Sequence, residues 1–267
     1  MDRLKKRYRY SIILLKQLVK TDFKLRYQGS ALGYVWTLLR PLALFVILYI
    51  VFGQFIRFGD EIPNYEVYLL VGIVLWNYFA EVTNNSVKAI VDKGELLRKI
   101  NFPKYVIVLA GSVSALINLA INVVVIAVFM IITDIPFTAN LLFVPIFIAQ
   151  LFVLALGMSF LLSAVYVRLR DINYVWEVIM QGAFYATPIL YPLSLIPLSA
   201  AKVLMLSPVA QIIQDVRYLA ITPNSDTISS LYMTHAIRLV PVGITVGITI
   251  LAVYYFRKRS RFFAEEV

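Results

Sequence analysis

Six stretches of this chain run for roughly twenty residues with few charges, and that pattern limits the fold more than any other feature. A helix needs about 20 mostly apolar residues to cross the hydrocarbon layer of a bilayer. With no water at that depth, the backbone must satisfy its own hydrogen bonds, which favours helices for stretches of this length. The expected spans are residues 34–56, 67–87, 105–133, 141–167, 174–190 and 237–256. The second is weaker because it holds Glu81 and three asparagines. The fifth is short and runs into Thr187-Pro188-Ile189-Leu190-Tyr191-Pro192. Composition excludes one soluble core: 61% of the 267 residues are hydrophobic and only 15% charged, whereas soluble domains carry about 25% charged residues. The fold expected is an all-α membrane protein with six transmembrane helices. Residues 1–33 form an N-terminal region and residues 34–267 the six-helix domain.

Orientation follows from the lysines and arginines. Twenty of the 25 basic residues lie before the first span, in the second-to-third and fourth-to-fifth loops, or after the last span. By the positive-inside rule, those segments and both termini are cytoplasmic. The net charge of +10 then faces an anionic inner leaflet. Nucleic-acid binding is disfavoured, because the charges sit at span boundaries rather than in one basic domain. The basic N-terminus is too long for a cleavable signal, and no small-residue cleavage site follows a short apolar core.

Three segments are not simple spans. Tyr8, Ile12, Leu15, Val19 and Phe23 recur at helical spacing, with Arg9, Lys16, Lys20 and Lys24 on another face. This reads as an amphipathic helix in the membrane interface, or packed on a partner. The loop from Lys88 to Lys104 interleaves charges with Ile90, Val91, Leu96, Leu97 and Ile100. It is either a short docking helix ended by Pro103 or a solvated loop. The segment from Leu193 to Ala236 is broken by Pro197, Pro208 and Pro223. It reads as short or re-entrant helices near 200–206 and 209–221, or as an outer cap.

Catalytic signatures are absent. There is no phosphate-cradling Gly-x-x-x-x-Gly-Lys-Ser/Thr loop and no Gly-x-Ser-x-Gly. Without cysteine there is no disulfide, thiolate ligand or cysteine nucleophile. The single histidine, His235, has no metal-ligand spacing around it and reads as structural. No cofactor is expected on this chain. Glu81 is the one carboxylate well inside a span; it either lines a pathway or snorkels to a boundary. Phe45, Tyr49 and Phe52 lie on one face of the first span, and Trp76 and Phe79 within the second. They fit helix packing, lipid contact or a pathway on which sugars stack.

The stretch from Asp22 to Trp36, DFKLRYQGSALGYVW, followed by Arg40-Pro41, resembles the start of the first span in ABC-2 type exporter permeases. Leu96-Leu97-Arg98-Lys99-Ile100-Asn101-Phe102-Pro103 resembles their loop between spans two and three, and Tyr185-Ala186-Thr187-Pro188-Ile189-Leu190-Tyr191 the end of their fifth span. The likeness covers nearly the whole chain. It is greatest to permeases for O-antigen and other polysaccharides, capsule or wall teichoic acid, and the wording from Lys24 to Trp36 leans toward teichoic acid. The resemblance implies a non-enzymatic permease in a bacterial plasma membrane, a homodimer with two copies of a separate ABC ATPase that binds ATP and Mg. It implies a coupling helix on Glu95, Leu96, Leu97, Arg98, Lys99 and Phe102. It implies a pathway at the dimer interface, with Phe45, Tyr49, Phe52, Trp76, Glu81 and Tyr185 as candidates, and a re-entrant helical pair at the exit. The cargo it implies is a polymer on an undecaprenyl-diphosphate lipid, whose diphosphate Lys20, Lys24, Arg26 and Arg40 would attract.

Overall fold

The computed structural model describes residues 2–27, 32–60, 62–100, 102–223 and 225–266, and all secondary structure among them is helical. Helix α1 covers Asp2–Tyr27. Helix α2, Trp36–Leu48, runs on through a π-helical stretch to Phe55. Next come α3 (Tyr65–Asp92), α4 (Gly94–Lys99), α5 (Tyr105–Ile132), α6 (Val144–Tyr166) and α7 (Ile172–Ala186). Short helices α8 (Leu198–Leu204), α9 (Pro208–Ala220) and α10 (Ile228–Tyr232) precede α11 (Leu239–Arg259) and α12 (Phe263–Glu266).

Five helical stretches among the described residues are long and apolar enough to cross a membrane: Trp36–Phe55, Tyr65–Asp92, Tyr105–Ile132, Ala139–Tyr166 and Ala236–Arg259. They match five of the six expected spans. The fifth expected span forms α7, whose 15 residues extend only ~22 Å at 1.5 Å per residue. It stops because Pro188 forces Thr187 out of the helical region, to φ −77° and ψ 136°.

Helix α3 is the centre of the molecule. Of its apolar stretch 78% is buried, against 11% for α2. Helices α5 and α6 flank it, α2 and α7 pack on its sides, and α11 lies against α6. Close approach of α6 and α11 depends on Gly157, where a Cβ would come within 3.0 Å of the Thr249 backbone. Small residues at such crossings let two backbones touch. Helix α9 wedges between α3, α6 and α11, and its residues from Pro208 to Arg217 are all buried. The helices at 198–204 and 208–220 agree with the pair expected there.

Helix α1 packs on the start of α5, with Leu14, Leu15, Leu18 and Val19 against Val106 and Ala110. The packed face is thus centred on Leu18, and Ile12, from the expected stripe, is half exposed beside Ile13. An ion pair from Lys93 to Asp22, at 2.9 Å, ties α1 to the end of α3. A second apolar cluster gathers at this end of the molecule from α3, α5, α6, α11 and the C-terminal Phe263.

Candidate functional site

Between α2, α3 and α5 lies a partly open cavity of about 490 Å³. Its wall is about half polar although all three helices are apolar enough to span a membrane. Helix α3 supplies Asn77, Tyr78, Glu81, Asn84 and Asn85; α5 supplies Asn118 and Asn122; α2 supplies Trp36, Thr37, Arg40 and Pro41. The positions on α3 recur at i, i+4 and i+7/i+8, and those on α5 at i and i+4, so each set shares one helix face. Glu81 lies 11 residues from Asp92, or ~16 Å along the axis, so the cavity is nearer the end of the molecule that carries α1.

The geometry explains the residue types. Pro41 has no N–H and leaves the carbonyl of Thr37 without its helical donor. Asn122 Nδ2 donates to that carbonyl at 3.4 Å and to the Asn118 carbonyl at 2.8 Å. Asn118 Nδ2 donates to Glu81 Oε1 at 2.8 Å. Two buried atoms have no protein partner, Asn118 Oδ1 and the Tyr78 hydroxyl. A buried polar atom without a partner costs about 1–3 kcal/mol, which marks this cavity as a place built for something hydrogen-bonding.

A second polar assembly fixes the broken end of α7. Arg217 of α9 is fully buried and forms no ion pair with a carboxylate among the described residues. Its Nε donates to the Tyr68 carbonyl at 3.0 Å, Nη1 to the Pro188 carbonyl at 2.6 Å and to Gln214 Oε1 at 3.2 Å, and Nη2 to the Ile189 carbonyl at 2.8 Å. The guanidinium also lies 3.4 Å from the centre of the Tyr68 ring. The hydroxyls of Tyr65 and Tyr68 donate to the carbonyls of Leu190, at 2.7 Å, and Tyr191, at 3.4 Å. The four successive carbonyls from Pro188 to Tyr191 are thereby satisfied without helix, as buried irregular backbone requires. Beside this assembly Gln150 donates to Gln211, which donates to the buried Asp215, and Arg238 pairs with Asp215 at 3.3 Å. Burial pushes the Asp215 carboxyl up from its ordinary value, against the Gln211 hydrogen bond and the Arg238 charge.

The sequence-expected residues fall in different places. Glu81 and Arg40 come together in the polar cavity. Phe45 and Trp76 are each 5% exposed and belong to the chain's own core, so for these two the packing alternative holds. Phe45 stacks on Tyr49 at 5.8 Å and edge-on to Phe129 at 5.4 Å; Trp76 packs against Phe79 and Phe184. Tyr49 donates to Glu66 at 3.2 Å and Phe52 stacks on Phe58 at 6.0 Å. Tyr185 is exposed and packs edge-on against Phe184 at 5.3 Å. In the charged loop, α4 forms as expected, yet Leu97 and Phe102 point into the chain's own cluster with Ile107, Phe160 and Phe256. Leu97 and Phe102 are thus corrected to core residues, while Glu95, Arg98 and Lys99 are exposed together with Ile100. Lys20 and Lys24 are exposed on α1. The Arg26 side chain lies outside the described residues, as does Asn101.

Sequence reasoning missed most of the asparagines, Arg217 and Asp215. The signal was present for the asparagines: five carboxamides at helical spacing within apolar spans are too costly to be incidental.

Comparison with known proteins agrees with this architecture. Residues 13–221 match the ABC-2 type transporter family. The chain is 30% identical over 240 residues to the O-antigen export system permease protein RfbA of Klebsiella pneumoniae, covering 89% of this chain and 92% of that one. It is 30% identical over 200 residues to the protein of the same name from Myxococcus xanthus, covering 75% and 76%. The polysialic acid transport protein KpsM of Escherichia coli is 21% identical over 203 residues, covering 76% and 79%. With a family match across most of its length and relatives aligned nearly end to end, this chain belongs to the ABC-2 type transporter family.

Proposed function

We propose that this chain is the membrane-spanning subunit of an ATP-driven exporter that moves a lipid-linked cell-surface polysaccharide from the cytoplasmic to the outer face of a bacterial plasma membrane. The observation that carries the reading is the near full-length match to an O-antigen export permease. A polar cavity enclosed by apolar spans supports it, because such groups at membrane depth usually serve a transport path. The polymer is of the O-antigen or capsular type; wall teichoic acid stands as the other member of this class.

In this reading the chain crosses the membrane six times with both termini cytoplasmic. Helix α7 and the irregular residues from Thr187 to Tyr191 make the fifth crossing together, and the carbonyl contacts of Arg217, Tyr65 and Tyr68 are what make that tolerable. Helices α8 and α9 are the re-entrant pair on the outer side. Helix α1 lies in the inner interface, with Lys20 and Lys24 near headgroups. Two copies form a homodimer. The little-buried α2 and the outer face of α7, with Tyr174, Val178 and Tyr185 exposed, are the surfaces left for the partner copy. ATP and Mg are bound by two copies of a separate ABC ATPase, which dock on the exposed charges of α4. This chain alone hydrolyses nothing.

The test is genetic and biochemical. Deleting the chain should abolish polymer at the cell surface and leave lipid-linked polymer inside, and the wild-type chain should restore export. The purified chain should hydrolyse ATP only when co-purified with its ATPase. Unchanged surface polymer in the deletion strain overturns the reading.

A further inference from the structure

We infer that the asparagine-lined cavity between α2, α3 and α5 is a binding site for the sugar adjoining the carrier lipid's diphosphate, with Arg40 meeting the phosphate oxygens. This inference rests on the exporter reading and goes beyond it by assigning a ligand to a specific set of residues.

Three observations support it. The first is chemical. Carboxamides both donate and accept, as a sugar's hydroxyls do. Five asparagines around one cavity in a membrane form a surface suited to an uncharged, hydroxyl-rich ligand rather than to a lipid tail. Carboxamides do not titrate, so with Glu81 alone the wall does not make a proton relay.

The second is the unmet hydrogen bonding. Asn118 is 6% exposed and Tyr78 only 3%. Asn118 Oδ1 and the Tyr78 hydroxyl nevertheless lack protein partners, and both residues line the cavity. A hydroxyl-rich ring offers a donor to the first and either role to the second. The volume of about 490 Å³ falls within the ~300–1,000 Å³ of small-molecule sites.

The third is the division of charge. Arg40 on α2 and Glu81 on α3 stand on different walls of the same cavity. A diphosphate is drawn to the guanidinium, which binds phosphate oxygens through paired N–H donors. The carboxylate repels the diphosphate and accepts from sugar hydroxyls. A headgroup is thereby oriented, phosphates toward Arg40 and sugar toward Glu81 and the asparagines. The cavity is partly open, so the prenyl tail stays in the bilayer while the headgroup enters.

The experiment uses the full chain with its ATPase in nanodiscs and two probes, a short prenyl diphosphate carrying a disaccharide and the same prenyl diphosphate without sugar. Binding is read from tryptophan fluorescence, since Trp36 lines the cavity, and from stimulated ATP hydrolysis. The wild type should bind the glycosylated probe about tenfold more tightly, a difference of a few hydrogen bonds. Asn84→Ala with Asn85→Ala, both exposed and tolerant of change, should bring the two affinities together. Asn118→Leu should do the same. Arg40→Ala should weaken both probes equally. If the asparagine variants keep the wild-type ratio, or the wild type binds both probes alike, the sugar assignment is wrong while export stands. If surface polymer persists in the deletion strain, the exporter reading itself fails.

Discussion

Gly72 and Arg217 are built around each other: a Cβ on residue 72 would collide with Arg217 Nη2 and lie 3.2 Å from Ile189 Cγ2. The absent side chain on α3 is the space in which α9 seats its guanidinium. From there Arg217 reaches the carbonyls of Pro188 and Ile189. One missing methyl group thus permits residues Thr187 to Leu190, just after α7, to be buried.

Gly72→Ala should therefore destabilise the purified protein by about 1–3 kcal/mol, the usual range for overpacking. Arg217→Met should cost at least as much, because it leaves the Pro188 and Ile189 carbonyls buried without donors, at about 1–3 kcal/mol each. Thermal unfolding in detergent measures both. A Gly72→Ala protein with wild-type stability would mean that Arg217 has another place to go.

The two faces of α4 should respond differently to substitution. Arg98→Glu with Lys99→Glu alters exposed positions and should leave thermal stability unchanged. It should lower the affinity for the ATPase subunit by about tenfold, as charge reversal at a docking rim does. Leu97→Asp buries a charge within the cluster of Phe160 and Phe256 and should cost about 3 kcal/mol or more. Co-purification yield set against melting temperature separates the two effects.

Gly157→Leu should push α11 away from α6. The Thr249 backbone stands 3.0 Å from where the Cβ would be, and Thr249 Oγ1 donates to the Val153 carbonyl at 3.3 Å. The expected loss is about 1–3 kcal/mol, together with faster proteolysis of the C-terminal helix. Gly111→Ala, where a Cβ meets nothing within 4 Å, is the control that should be silent.

Asp215 gives a pH signature. Burial raises its carboxyl above the ordinary 3.8, so the folded state holds the proton more tightly than the unfolded chain. Its contribution to stability is fully present below the unfolded value and is lost as pH rises through the raised folded value. Asp215→Asn removes that dependence. The melting temperature of wild type relative to Asp215→Asn should fall as pH is raised from about 4 to about 7. A constant difference across that range would mean that Arg238 and Gln211 offset burial completely.

The sequence by itself determined which segments are helical and which can span. Hydropathy over twenty residues is a local property, and it located five long apolar helices. The proline run marks the fifth span as short, although the helix stops at Ala186 rather than at Leu190, and periodicity found α1. The tertiary structure decided which side of each helix faces the protein. In a membrane chain both the core side and the lipid side are apolar, so no period distinguishes Phe45 and Trp76, which are packed, from Tyr185, which is exposed. Leu96 and Leu97 are legible as an apolar face of α4, but whether Leu97 meets a partner or the chain's own Phe256 depends on contacts from residues more than 150 positions away. The polar cavity needs the same distant information. Asn77, the Asn84-Asn85 pair and Asn118 are separated along the sequence, and they become one wall only because α3 and α5 pack side by side with α2 across the opening. Hydrogen-bonding groups in apolar helices are recognisable one helix at a time, while the site they make together exists only in the packing.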